Sequence, residues 1–208
     1  MKTKAIIFDL DDTLIDTRRR HFKIVADFLY KYGKLLNFEE YLDMRKRNKW
    51  SNKELVKNVY SLSEEEFNSF WLLSIENPTY LKYDFEIVNC KLLKEIKMKG
   101  SYDFILLSLR SNLNSAEDQF KKLCCSVFFD KHHFLKHAPL NPKIEKLKIY
   151  KEIYKNVIFI SDSREDFIAA AKAKVEFVGV NSGVYDIICN NHYIDVNSFL
   201  LKQKNYAY

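Results

Sequence analysis

Five short apolar runs punctuate the chain: Ala5–Phe8, Phe104–Leu107, Val127–Phe129, Val157–Ile160 and Val175–Val180. They are apolar at nearly every position rather than alternating, which predicts strands buried on both faces. Each gives way to a polar residue, in order Asp9, Ser108, Asp130, Asp162 and Asn181. Between the runs the period becomes helical. Phe22, Val25, Leu29 and Tyr32 recur at helical spacing from about residue 18, and Gly33 stands where a C-terminal cap belongs. Three helix starts follow, each an N-cap residue with a glutamate three positions on: Asn37 with Glu40, Ser51 with Glu54, and Ser63 with Glu66. Asn77-Pro78 is a turn signal. Further helices are expected over about 84–99, closing at Gly100, over 115–123, and over 166–172. Asn141-Pro142 opens another, with an N-cap followed by proline at the first helical position, and it carries Ile144, Leu147, Tyr150 and Tyr154.

Apolar strands alternating with helices predict an α/β protein with a Rossmann-like three-layer sandwich, a five-stranded parallel sheet covered on both faces. Residues 17–83 contain helices and no convincing strand, too long a stretch for a simple crossover. They read as an inserted α-helical cap domain, leaving 1–16 and 84–208 as the core domain. In open parallel sheets, ligands bind beyond the carboxyl ends of the strands, so the five polar residues that follow the runs are expected to share one rim.

The chemistry concentrates at the first of these endings, Phe8-Asp9-Leu10-Asp11-Asp12-Thr13-Leu14-Ile15-Asp16. Acids packed this closely repel one another, and a hard divalent cation is the obvious compensator, since Mg²⁺ takes oxygen ligands. Asp9 and Asp11, two residues apart at an extended strand end, can point to one side. One carboxylate can then attack while the other moves protons. A second cluster, Asp162-Ser163-Arg164-Glu165-Asp166, follows another strand, and Ser108 ends a third. The cation to go with them is Lys143, in the first turn of its helix, where the macrodipole disfavours positive charge unless an anion is near. Lys136 lies in the same stretch and stays open as the alternative. Arg110 can reach an anion from the loop after Ser108. Arg18-Arg-Arg-His21 and Arg45-Lys-Arg47 read as solvated helix faces, and a metal site at His132, His133 and His137 is not expected.

Composition narrows the field. Of 208 residues, 34 are Lys or Arg and 28 Asp or Glu, a net charge of +6 that helps attract an anion but does not call for nucleic acid. The four cysteines show no CxxC spacing, so reduced thiols and a cytoplasmic setting are expected. No run approaches the roughly 18 apolar residues of a membrane span. Monomer and homodimer are both compatible with the sequence.

Taken together, the motifs resemble the haloacid dehalogenase (HAD) superfamily. Asp9-Leu10-Asp11-Asp12-Thr13 is similar to its first motif, DxDxT after a buried strand. Phe104 to Ser108 is similar to the second, and Asp162 to Asp166 to the fourth. Ala169-Ala-Ala171 and Val178-Gly-Val180-Asn-Ser-Gly183 also resemble family members. Ser161 departs from a position where glycine is common. The resemblance covers the sheet domain, whereas the cap matches in position and helical character only.

The resemblance implies a Mg²⁺-dependent phosphatase acting on a small-molecule phosphate ester through an aspartyl-phosphate. Asp9 would be the nucleophile, and Asp11 the acid and base, with its backbone carbonyl on the metal. Asp162 would be a metal ligand and Asp166 a second acid supporting that site. Ser108, Arg110 and Lys143 would bind the phosphoryl group, Lys143 also neutralising Asp9. Related readings are a phosphotransferase or phosphomutase and, from another class, a non-catalytic phosphate-ligand-binding protein.

Overall fold

The computed structural model describes residues 4–100 and 102–206. The ends of the expected core domain, 1–3 and 207–208, and Ser101 lie outside the described residues. The chain divides into two compact units, Met1–Asp16 with Glu86–Tyr208, and Thr17–Phe85.

In chain order the elements are β1 (Lys4–Phe8) and β2 (Ile15–Asp16), then α1 (Arg18–Tyr30), α2 (Phe38–Asn48), α3 (Asn52–Tyr60), α4 (Glu64–Ser74) and α5 (Pro78–Leu81). After β3 (Phe85–Glu86) come α6 (Cys90–Met98), β4 (Asp103–Leu109), α7 (Leu113–Lys121), β5 (Lys131–Leu135) and α8 (Lys143–Ile153). The chain continues through β6 (Asn156–Ser161), α9 (Arg164–Ala173), β7 (Glu176–Val180), β8 (His192–Tyr193) and α10 (Val196–Tyr206).

The first unit is a parallel sheet in the order β5-β4-β1-β6-β7-β8. It has six strands rather than five, because the two-residue β8 pairs with Gly179 and Val180 at one edge. Successive residues of β1 feed opposite faces, as the pleat requires. Ile6 and Phe8 join Phe104, Leu106, Ile160 and the apolar sides of α6 and α10. Ala5 and Ile7 join Ile105, Leu107, Phe159 and the sides of α8 and α9. Two cores, one on each face, account for strands that read as apolar throughout.

One expected strand is not a strand. Residues Cys124–Phe128 form a 3₁₀ turn, its first two N–H groups bound by the Glu86 carboxylate at 2.9 Å and 2.7 Å. Phe129 is apolar because its ring packs against Phe8, Phe104 and Phe120, not because it pairs in the sheet. The true strand begins just after it, so Asp130 precedes β5 and holds the Phe104 N–H at 2.8 Å. Asp130 therefore lies at the amino end of the sheet, away from the expected rim. The helix expected from about 84 begins only at Cys90, capped by Asn89.

The helical unit has its own core of Val25, Phe28, Leu29, Tyr41, Leu55, Val56 and Phe67. Asn37, Ser51 and Ser63 each accept the backbone N–H three residues on, as expected, with a full capping box at Ser51 and Glu54. Two arginines expected in solvent are interior. Arg20 is fully buried, paired with Asp84 at 3.3 Å. Arg45 donates to the Trp50 carbonyl and the Tyr41 hydroxyl, both at 3.0 Å. A planar guanidinium with oxygen partners on several edges can be buried at tolerable cost. Among the described residues no helix is long and apolar enough to cross a membrane.

Candidate active site

The site is built at the carboxyl ends of β1, β4 and β6. Asp9 extends β1 by one residue, its N–H donating to the Ile160 carbonyl of β6 at 2.9 Å. The chain then turns sharply: the Leu10 carbonyl accepts the N–H groups of Thr13, Leu14 and Ile15, while Asp12 adopts a positive φ of 52°. The apolar side chains of Leu10 and Leu14 are buried in the sheet core, pinning this turn from beneath.

Lys143 decides the geometry. Its Nζ lies 2.7 Å from Asp9 Oδ1 and 2.6 Å from Asp166 Oδ2, and all three side chains are buried. A cation in the first helical turn is thus offset by two carboxylates, the compensation its position demands. The Asn141 side chain accepts the Lys143 N–H at 2.9 Å and fixes the helix start. Lys143, rather than Lys136, is the lysine that meets Asp9. The Asp9 and Asp166 charges raise its pKa although burial opposes them.

Arg110 follows β4, its N–H bound to the Leu135 carbonyl at 2.8 Å, and its guanidinium grips both oxygens of Asp11 at 2.5 Å. Phe8 pairs with Leu106, so Ser108 in β4, itself buried, reaches the same end of the sheet as Asp9. Asp162 begins the loop after β6. Burial raises its pKa first, and the carboxylates of Asp12, Asp9, Asp166 and Asp11 raise it further.

Two features of this site lay outside the expected set. Gly183, after β7, backs directly onto Asp162: a Cβ there would stand 2.3 Å from Asp162 Oδ2. Beside it the Ser182 hydroxyl donates to the Asp12 carbonyl at 2.5 Å. The motif resemblance ending at Gly183 marked this loop, but no sequence pattern ties residue 183 to residue 162. The histidines go elsewhere, His132 to Glu117 at 2.9 Å and His133 to the Tyr150 hydroxyl at 2.5 Å.

The donor set suits a hard cation. Lys143 takes Asp9 and Asp166, and Arg110 takes Asp11, whereas Asp162 faces like charges. Among the described residues no three acid, imidazole or thiol side chains form a ready-made cage.

Burial pushes the Asp9 carboxyl up to about 7, against the opposing pull of Lys143. The folded protein then holds this proton more tightly than the unfolded chain, so the Asp9 contribution to stability falls as pH rises from about 4 to about 7. The Asp9→Asn variant carries no such proton. In metal-free buffer its unfolding midpoint is expected to gain on the wild type across that interval. A difference that is flat or shrinks between pH 4 and 7 would contradict this.

Carboxylates, a lysine, an arginine and a serine thus meet at one rim of a parallel α/β sheet. The chain belongs to the haloacid dehalogenase-like hydrolase family, whose sequence model matches residues 3–174. No curated protein matches it by sequence. Solved structures match along nearly the whole chain. A candidate phosphatase from Clostridium difficile has a TM-score of 0.71 at 17% identity, covering 98% of this chain and 99% of that one. A candidate phosphoglycolate phosphatase from Lactobacillus delbrueckii subsp. bulgaricus has 0.70 at 16%, covering 98% and 99%. A candidate β-phosphoglucomutase from Thermotoga maritima has 0.66 at 19%, covering 98% and 100%. At these identities the likeness is one of fold.

Proposed function

We propose that the chain is a Mg²⁺-dependent phosphatase that hydrolyses a small phosphorylated metabolite through an aspartyl-phosphate on Asp9. The observation that carries this reading is the contact of Lys143 with both Asp9 and Asp166 in a buried site. Family membership and the phosphatase names of similar structures also support it.

In this reading Asp9 attacks phosphorus and the ester oxygen departs with a proton from Asp11. Water then attacks the aspartyl-phosphate, Asp11 takes its proton, and inorganic phosphate leaves with Asp9 restored. Lys143, Ser108 and Arg110 hold the phosphoryl oxygens in line and offset the charge of an anionic nucleophile meeting an anionic ester. Arg110 keeps Asp11 in an ion pair in the described arrangement. A phosphate that draws Arg110 to itself leaves Asp11 able to carry a proton. Asp162, the carboxylate of Asp9 and the backbone carbonyl of Asp11 would hold Mg²⁺, with Asp166 supporting the site. The ion, when bound, supplies electrostatic neutralisation of the transferring group. The helical unit is proposed to act as a cap that selects the substrate.

The test is hydrolysis across a panel of phosphorylated metabolites with Mg²⁺, with Asp9→Asn as control. Mg²⁺-dependent phosphate release by the wild type alone is expected. No release from any ester, or equal release by the variant, would overturn the reading. The T. maritima structure's name keeps a phosphomutase in view, and a product that retains its phosphoryl group on another hydroxyl would identify that chemistry. The glycine behind Asp162 gives a further prediction. Gly183→Ala is expected to fold normally, because the Asp162 carboxylate can swing away, and to lose roughly 10–100-fold in Mg²⁺ affinity by calorimetry. Unchanged affinity would mean that Asp162 is not held in place by this close approach.

A further inference from the structure

We propose that Ser161 is a positioning residue: its hydroxyl fixes Asp166 against Lys143 and so sets the orientation of Asp9. Ser161 closes β6, is fully buried, and donates to Asp166 Oδ2 at 2.7 Å. That same oxygen receives Lys143 Nζ at 2.6 Å. The carboxylate thus has two donors on one atom, one from the strand end and one from α8. The Ser161 hydroxyl also accepts the Ser163 N–H at 3.2 Å, while the Ser163 hydroxyl accepts the Asp166 N–H at 3.1 Å and caps α9. These bonds tie the strand end, the turn and the first turn of α9 into one unit around Asp166.

Lys143 depends on that unit. Its ammonium is held between two carboxylates, Asp9 on one side and Asp166 on the other, and lies over the Phe159 ring. Release Asp166 and the lysine loses the partner that keeps it centred beside Asp9. A glycine here would have no hydroxyl and could not supply this bond. The chain therefore carries a fixing device of its own, buried where solvent does not compete for the hydroxyl. A bond to an ionised partner, made without a competing water, is also among the stronger ones a side chain can offer.

This inference rests on the phosphatase reading for its effect on turnover, though not for its effect on the lysine. Two measurements separate the two. The first needs no substrate: NMR of protein labelled with ¹⁵N-lysine should give a resolved Lys143 ammonium signal in the wild type. Both Ser161→Ala and Ser161→Gly should shift or broaden it while circular dichroism stays that of the folded wild type. The second is kinetic. Ser161→Ala should lower kcat about tenfold with KM within about twofold. In an Asp166→Asn background it should cause little further loss, because the two changes act through one contact.

An unaltered Lys143 signal in both variants overturns the inference, as do losses that multiply in the double variant. A wild type that turns over no phosphate ester overturns the phosphatase reading instead, and leaves the NMR result to decide the role of Ser161.

Discussion

Asp9→Asn should lower kcat at least about 10⁴-fold while the protein remains folded. Removing the proposed nucleophile of a covalent mechanism leaves only binding and electrostatic stabilisation, which are worth far less than the group itself. The fold should survive because asparagine has nearly the same shape, and Asp9 is held by main-chain pairing to Ile160 as well as by its side chain. Lys143 keeps its bond to Asp166 at 2.6 Å. Steady-state kinetics on the best ester from the panel, with circular dichroism alongside, gives the comparison. A variant retaining a tenth of wild-type kcat would remove Asp9 from the mechanism.

Lys143→Met should be costly in two ways. The lysine is the cation between two buried carboxylates, so its loss leaves Asp9 and Asp166 facing each other with little water. Breaking a buried ion pair from one side costs about 3–5 kcal/mol. Some of that is recoverable, because Asp9 already tends to hold a proton near neutral pH. Without metal, an unfolding free energy about 3 kcal/mol below wild type at pH 8 is therefore expected, with a smaller deficit at pH 5. Turnover should fall about 10²–10³-fold, the scale seen when one donor to a transition-state oxygen is removed. Wild-type stability at pH 8 would mean that the pair carries little net energy.

Much of the sheet was legible because burial on both faces leaves strands apolar at every position. β1, β4, β6 and β7 could be read that way, and with them Asp9, Ser108, Asp162 and Asn181. β5 could not. It is an edge strand, Lys-His-His-Phe-Leu, with one neighbour and exposed residues at its start, so it need not be apolar. The neighbouring Val127-Phe-Phe129 carried the stronger signal, yet its two phenylalanines pack on the core and Val127 is exposed. Arg20 and Arg45 are interior for a related reason: sequence reports charge, not the carbonyl or carboxylate waiting for it at Ile75, Asp84 or Trp50.

Within the site, Lys143 could be singled out because an adverse helix position demands an anion. Its two partners lie 134 and 23 residues away, and only the fold brings them together. The same holds for Gly183 behind Asp162 and for Ser182 on the Asp12 carbonyl, 170 residues apart in sequence. Local periodicity has no access to contacts of that range.

Phosphorylation of Asp9 is the step on which the proposed mechanism turns. The direct measurement is acid quenching of the enzyme with Mg²⁺ and a turned-over ester, followed by peptide mass spectrometry. One phosphoryl group on the peptide containing Asp9, removed by hydroxylamine and missing from Asp9→Asn, is the expected result. An enzyme that releases phosphate while this peptide stays unmodified at every quench time would contradict it.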